Sequence, residues 1–460
     1  MDNIRRIPSS FRDPDGFVFV HAGEVYRAIH EDYVETFNQL RANGLYDELI
    51  GEDLMIPFSI EECLQFHIPD HPIVIKPYQI SYITYPYEWS AEQLTDAAIC
   101  TLRAQQISIK HGFHLKDATP FNVQFVEGKP KLIDTLSFYG PARGSGLWTA
   151  YRQFCEAFLA PLSLAAFVEG DLSRLSRIYL DGVPLRIASK LLPLKSWLSP
   201  GILVHVHLNS RSQRDGKSKR QKQRSSVEFS PEQELGLVTN LRGVVNSLSR
   251  RKSVFGWTNY YGSELVNRKY LENKLQIVTG ILSTMKLDLV LDVGTNTGVM
   301  AQVASKYSGT VVALDRDPVS IGQLYSAIKK GKIRNIIPLV VDILNPTPSL
   351  GWMNNGRASF VERVNPDLIM LLGILHHLLS QANINFSKLL ELCELARKYL
   401  IIEYIPQNDP NYKALFAKRE KNFGWYTEEN LVGTLQTRFN IIDVKEVQPT
   451  NRRIMLLEKK

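Results

Sequence analysis

Residues 287–298, Leu-Asp-Leu-Val-Leu-Asp-Val-Gly-Thr-Asn-Thr-Gly, set carboxylates and glycines at the end of an apolar run. Leu289–Leu291 reads as a strand, Gly294 and Gly298 as a tight turn, and Val299-Met-Ala-Gln-Val-Ala as the helix that follows. At the carboxyl edge of a parallel sheet, such a turn aims backbone N–H groups into an open crevice and lets a ligand approach closely. Val311–Asp315 is a second strand ending in an acid, 23 residues after Asp292. A carboxylate placed there can accept hydrogen bonds from both hydroxyls of a ribose. Ile336–Asp342 is a third strand with an acid at its end. Pro366–Leu378 is a fourth, which passes through Gly373, His376 and His377 into a helix, and Tyr399–Glu403 is a fifth.

Five strands alternating with helical stretches predict an α/β sheet whose polar residues gather along one edge. The serial pattern resembles class I S-adenosylmethionine-dependent methyltransferases over about residues 255–460. The middle glycine of that family's Asp-x-Gly-x-Gly-x-Gly loop is Asn296 here, a residue that tolerates left-handed backbone. The resemblance implies that Gly294, Asn296 and Gly298 shape the loop around the methionine portion, with Asp292 facing its ammonium. It further implies Asp315 at the ribose, Asp342 at the adenine amino group, and Gly373 leaving room at the end of the fourth strand. His376 and His377 fall where the family lines its acceptor side; a histidine there can take a proton near neutral pH, with Glu403 a weaker candidate base. The alternative reading of Asp315 is a helix N-cap before Asp317-Pro318, and of Asp342 a turn before Asn345-Pro346. Phe439–Val447 and Arg453–Leu457 predict an antiparallel closing hairpin, which a nicotinamide-binding Rossmann domain does not require. The helices before the sheet are expected to cover the crevice, with Tyr260 and Tyr261 as candidate lid residues or as packing aromatics.

The amino-terminal half carries a different signal. Residues 17–28 predict a β-hairpin, Tyr33–Leu49 a helix interrupted at Gly44, and Leu54–Phe58 and Ile73–Pro77 short strands. Ser81–Trp89 reads as a β-rich run. Ser90 and Gln93 form a capping box for a helix that stops at Gly112. In the stretch from His114 to Asp134, an acid (Asp117) is followed five residues later by Asn122, then by a short hairpin and a second acid. This resembles the catalytic loops of protein kinases and aminoglycoside phosphotransferases. By that resemblance Asp117 orients an acceptor hydroxyl, while Asn122 and Asp134 hold magnesium against ATP phosphates. The hairpin has one glycine instead of a glycine-rich loop, and Arg27 stands where the strand lysine is expected. A kinase-like scaffold without catalysis, nucleotide binding without transfer, and chance turn chemistry around Pro120 are therefore competing readings. His205 and His207, alternating with Val and Leu, read as the wet face of a strand rather than as metal ligands, and no metal site is expected.

Composition sets outer limits. Among 460 residues, 44% are apolar and 22% charged, as in globular proteins with two or three domains. The four cysteines form no Cys-x-x-Cys pair, so a reduced, cytoplasmic setting is expected without a disulfide framework. No apolar stretch reaches the ~20 residues of a membrane span, and the amino terminus lacks a signal-peptide run. The net charge of +7 is concentrated between Arg211 and Arg224, where seven cations face Asp215 alone. That tract is either a solvated linker or an electrostatic contact with nucleic acid or an anionic surface; it has no interleaved aromatics for base stacking.

Together Ser81–Ser90, Lys116–Phe125, Ile133–Phe138, Tyr151–Cys155, Gly351–Asn354 and Glu362-Arg363 are similar to two-part bacterial methyltransferase-like proteins related to host-specificity nodulation proteins. The expected layout is a kinase-like α+β domain at 1–208, a basic linker at 209–229, and a Rossmann-like methyltransferase domain at 230–460. Within the last, 230–285 is a helical cap and 286–460 the core. The expected activity is methyl transfer from S-adenosylmethionine to an oxygen or nitrogen of a small-molecule or glycan-like acceptor. The alternatives are a bifunctional protein that also transfers phosphate from ATP, and an RNA- or surface-binding protein working through the basic tract.

Overall fold

The computed structural model describes residues 4–61, 66, 68–140, 148–212, 230–251, 268–416 and 423–460. The chain divides into two compact units: residues 1–255 with 349–357, and residues 256–348 with 358–460.

The first unit begins with five antiparallel strands: β1 (Arg5–Arg6), β2 (Gly16–His21), β3 (Glu24–Ile29), β4 (Phe58–Glu61) and β5 (Ile73–Pro77), in the order β1-β2-β3-β5-β4. The β2–β3 hairpin turns at Ala22 and Gly23, both with positive φ. Its inner face packs Phe17, Phe19, Tyr26 and Ala28 against Phe66 and Val74. The expected Tyr33–Leu49 helix is two, Glu31–Ala42 and Leu45–Gly51, because Gly44 between them takes φ of 78°. The long helix Ala91–Lys110 starts at the Ser90–Gln93 capping box. Four short strands follow as two hairpin-like pairs: β6 (His114–Leu115) with β9 (Phe138–Tyr139), and β7 (Val123–Val126) with β8 (Lys129–Leu132). A sheet with a helix between its third and fourth strands, a helical second part, and a catalytic-loop-like hairpin is the kinase-like α+β layout expected from the sequence.

Three sequence expectations are corrected here. Ser81–Trp89 forms no strand. Gln124 accepts from Thr84 N at 2.8 Å and donates to Thr84 O at 2.8 Å, satisfying backbone that a ladder would otherwise serve, and Pro86 opens a 3-10 turn. His205 and His207 lie in a helical turn, Leu203–Leu208, and both are buried. The helix Pro231–Ser249, expected in the methyltransferase cap, packs on Ala91–Lys110 in the first unit. There Gln106 donates to Thr239 at 3.0 Å and accepts from Arg242 at 2.9 Å.

The second unit is a seven-stranded sheet: β10 (Leu287–Val293), β11 (Ser308–Asp315), β12 (Ile336–Val340), β13 (Leu368–Leu371), β14 (Tyr399–Tyr404), β15 (Phe439–Val447) and β16 (Arg452–Lys459). The order is β12-β11-β10-β13-β14-β16-β15, with the first five parallel and β16 antiparallel to both neighbours. This is the class I methyltransferase sheet with its closing hairpin. The reversal of strand order beside β10 puts the crevice at the carboxyl ends of β10, β11 and β13. Helices Arg268–Leu282, Val299–Ala304 and Pro318–Gly331 flank the sheet, and Val278, Leu282, Val290, Ala301, Leu324 and Met370 share one buried cluster with its apolar faces. Among the described residues no helix is long and apolar enough to cross a membrane.

Candidate active site

The loop after β10 takes its shape from three residues with left-handed backbone: Gly294 (φ 74°), Asn296 (φ 51°) and Gly298 (φ 81°). A Cβ on Gly294 would sit 2.7 Å from Ile374 Cδ1, and one on Gly298 would overlap the Leu324 side chain. Asn296 lacks glycine's freedom but caps its own turn, since its Oδ1 accepts from Thr297 N at 2.8 Å. Its backbone N–H donates to Asp315 Oδ2 at 2.9 Å, and Asp317 N donates to Asp315 Oδ1 at 3.0 Å. Asp315 is thus both the expected acid at the end of β11 and the brace of the glycine loop. Burial raises its carboxyl above the ordinary range, while these backbone donors work in the opposite direction. The N-cap before Pro318 is Asp317, which accepts from Val319 N at 3.1 Å, so Asp315 is not spent as a cap.

These residues open onto one half-open cleft. Gly294, Asn296, Asp315, Asp342, Gly373 and His377 all line it, joined by the apolar Leu314, Val341, Ile343 and Leu344. Asp342 turns one oxygen to Leu344 N at 3.0 Å and stays on the wall. The carboxylates of Asp315 and Asp342, neighbouring apolar side chains and a left-handed loop are the polar and apolar needs of an adenosine. The residues present therefore fit S-adenosylmethionine, with Asp315 suited to the ribose and Asp342 to the adenine amino group.

Two expected contacts do not line the cleft. Asp292 is buried behind the loop, where Thr295 Oγ1 donates to its Oδ2 at 2.6 Å; burial pushes its carboxyl up to about 6. Gly298 faces Leu324 rather than the cleft. Both build the wall from behind. Of the two histidines, His377 lines the cleft and His376 is buried beneath it, its Nδ1 lacking a partner among the described residues. Burial holds His376 well below its usual range and lowers His377 as well, so both are neutral near pH 7.

Glu403 is not an available base. Tyr270 OH donates to its Oε1 at 2.6 Å and Lys274 Nζ to its Oε2 at 2.6 Å, all three being buried. Burial works to raise the carboxyl, but Lys274 and Arg452 together hold it below the ordinary carboxylate range. Arg452 in turn donates to Tyr270 OH at 2.9 Å and grips Asp409 through two bonds of 2.8 and 3.0 Å. This closed network fastens the helix Arg268–Leu282 to β14 and β16, and that helix brings Tyr270, Leu271 and Lys274 to the cleft. Sequence reading missed these three. The signal was a lysine at the buried spacing Tyr270, Lys274, Val278, Leu282, where a helix facing a sheet normally keeps apolar residues. Tyr260 and Tyr261 lie outside the described residues.

In the first unit, Asp117, Asn122 and Asp134 come to one region, but each has a protein partner. Asp134 Oδ1 accepts from Arg27 Nη1 at 2.7 Å and from Leu136 N at 3.0 Å; Arg27 also pairs with Asp13, and Lys116 with Asp15. Gln153 donates to Asp117 at 3.4 Å, and Asn122 donates to Ser137 Oγ at 3.3 Å. Burial, reinforced by Asp134, raises Asp117. A fixed guanidinium thus neutralises the carboxylate that the resemblance gives to magnesium. Among the described residues no three His, Cys, Asp or Glu side chains are gathered to hold a metal ion. Both carboxylates are engaged by protein donors, Asp134 by Arg27 and Asp117 by Gln153. Of the basic tract only Arg211 and Ser212 are described, and Arg211 lies over the Trp197 ring, 5.2 Å from its centroid.

No protein-family model matches the chain. Nodulation protein NoeA of Rhizobium meliloti is 28% identical over 464 residues, which cover 99% of this chain and 96% of that one. Among solved structures, the N-methyltransferase NodS from Bradyrhizobium japonicum is similar at 12% identity, over 42% of this chain and 98% of its own, with a TM-score of 0.31. The magnesium protoporphyrin IX methyltransferase ChlM from Synechocystis is similar at 17% identity, over 44% and 89%, with a TM-score of 0.31. The bifunctional kinase-methyltransferase WbdD is similar at 16% identity, over 45% and 43%, again with a TM-score of 0.31.

Proposed function

We propose that this protein is an S-adenosylmethionine-dependent methyltransferase acting on an oxygen or nitrogen nucleophile. The observation that carries the reading is the convergence of Asn296, Asp315 and Asp342 on one cleft at the carboxyl ends of β10, β11 and β12. When bound, S-adenosylmethionine supplies a methyl group already activated by its positive sulfur, so the chain's own work is mainly alignment, worth roughly 7–11 kcal/mol. Asp315 accepts from the ribose and keeps the loop in register through Asn296. Asp342 accepts from the adenine amino group. Gly294 and Gly373 keep the floor open, and Tyr270 and Lys274 close the side next to β14. His377 is the candidate that accepts a proton from the attacking group, because it is the histidine on the cleft wall and is neutral near pH 7.

The kinase-like unit takes no part in phosphate chemistry in this reading; the Arg27–Asp134 pair supports a scaffold that positions or selects the acceptor. Calorimetric titration of the whole chain with S-adenosylhomocysteine, NAD and ATP–magnesium tests the proposal. S-adenosylhomocysteine binds, and Asp315→Ala weakens it by at least ~1 kcal/mol through lost charge-assisted hydrogen bonds. Tight NAD binding, or unchanged affinity in the variant, refutes the assignment.

A further inference from the structure

Residues 185–211 of the first unit bury several polar side chains while exposing large aliphatic ones. Ser189, Ser196, His205 and His207 face inward, while leucines face solvent: Leu194 is 87% exposed and Leu198 86%, with Leu191, Val204 and Leu208 also exposed. These four side chains are hydrogen-bonded. Ser196 donates to Pro193 O at 2.7 Å, so its oxygen accepts from His207 Nε2 at 2.8 Å, and Ser189 then donates to His207 Nδ1 at 2.8 Å. Tyr151 OH donates to His205 Nδ1 at 2.7 Å, and His205 Nε2 donates to Asn240 at 2.8 Å. This polar scaffold fixes which face is outward.

Every exposed residue between 185 and 211 is aliphatic, prolyl or cationic; the cations are Arg186, Lys190, Lys195 and Arg211. No Asp or Glu occurs between Asp181 and Asp215. The neighbouring groove continues the pattern, with Lys195, Leu198, Val244 and Arg251 on its walls. Near-complete exposure of leucines is unfavourable in water, and interleaved cations without a carboxylate specify a negative partner. Apolar side chains that enter a lipid layer while flanking cations meet its headgroups satisfy both conditions at once.

We propose that residues 185–211 are a docking surface for an anionic lipid bilayer, on which the protein rests without spanning it. Flotation of the whole chain with phosphatidylcholine vesicles, with and without phosphatidylglycerol, is the test. The wild type floats with the anionic vesicles, and more weakly at high salt. Leu194→Glu with Leu198→Glu lowers the bound fraction at least about tenfold at an unchanged melting temperature, since both residues lack a packed neighbour to lose. Lys190→Gln with Lys195→Gln reduces the preference for anionic over neutral vesicles. The proposal is overturned if the wild type stays with neither vesicle, or if the leucine variant floats like the wild type, which would leave the basic tract as the sole anchor. It is equally overturned if the wild type is a dimer that the leucine variant splits and that does not float.

Discussion

Replacing Lys274 by Met probes whether the helix Arg268–Leu282 is a working wall of the cleft or merely packs beside it. In the wild type the ammonium lies 2.6 Å from Glu403 Oε2, with both side chains buried. Removing one member of such a pair leaves an uncompensated buried charge, typically at about 3–5 kcal/mol. Here Tyr270 still donates to Glu403, and Arg452 stays 3.9 Å from Oε1, so the lower end, about 3 kcal/mol, is expected. For a unit of about 200 residues that corresponds to a fall of roughly 6–12 °C in its melting transition. The transition is recognised by calorimetry of the whole chain, as the one that S-adenosylhomocysteine raises. The pH dependence is a second readout. In the wild type Glu403 sits below its unfolded value, so its stabilisation is present above that value and is lost as pH falls through the native one. In Lys274→Met, burial prevails and the native carboxyl rises above the unfolded value, so the variant recovers relative stability as pH falls from 7 towards 5. Adding Glu403→Gln removes the stranded charge and restores most of the loss. A fall of less than ~2 °C, or additive losses in the double variant, would show that the pair carries little energy and that the wall is held by apolar packing alone.

Two further outcomes follow from the same geometry. Gly298→Ala costs at least about 2 kcal/mol, because it combines left-handed backbone with overlap against Leu324. Gly280→Ala, in open space on the helix Arg268–Leu282, instead stabilises by about 0.5–1 kcal/mol; melting curves of the two variants should move in opposite directions. His376 is held neutral in the fold, so the unfolded chain binds more protons below pH ~6.5 and stability declines as pH drops from there. His376→Phe should flatten that decline between about pH 6.5 and 5, and an unaltered slope would assign it to other buried histidines.

The parallel core was legible because each strand is a short apolar run closed by a polar residue, and the runs alternate with helices at βα spacing. Asp315 and Asp342 could be placed beside the crevice for the same reason, and both line the cleft. Asp292 was placed on the wrong side of its loop. Whether an acid at a strand end faces the ligand or the sheet depends on a local donor, and the Thr295 hydroxyl turned it inward. Glu403 was misread in a similar way: its partner Lys274 is 129 residues distant, a separation that no local pattern reveals. In the first unit the spacing of Asp117, Asn122 and Asp134 was visible in the sequence, but the pairing of Arg27 with both Asp13 and Asp134 is a property of the folded sheet.

The reading of residues 202–208 as a strand failed for a reason that bears on function. Alternating His205 and His207 suggested a strand with a wet face, because pattern reading assumes water outside and hydrocarbon inside. In this stretch the hydroxyls and imidazoles satisfy one another inside, leaving leucine as the outward residue. The hydrophobic core beneath this stretch is filled without these leucines: Phe154, Phe158, Leu185, Ala188, Ile202 and Val206 are buried from the same and neighbouring turns. The exposed leucines are therefore not a shortage of interior space. Here local rules and fold disagree because the surrounding medium differs from the one the rules assume, and functional surfaces are where such disagreements concentrate. An interface with a second, apolar phase accounts for the exposed leucines, the matched inward polar groups and the missing carboxylates together.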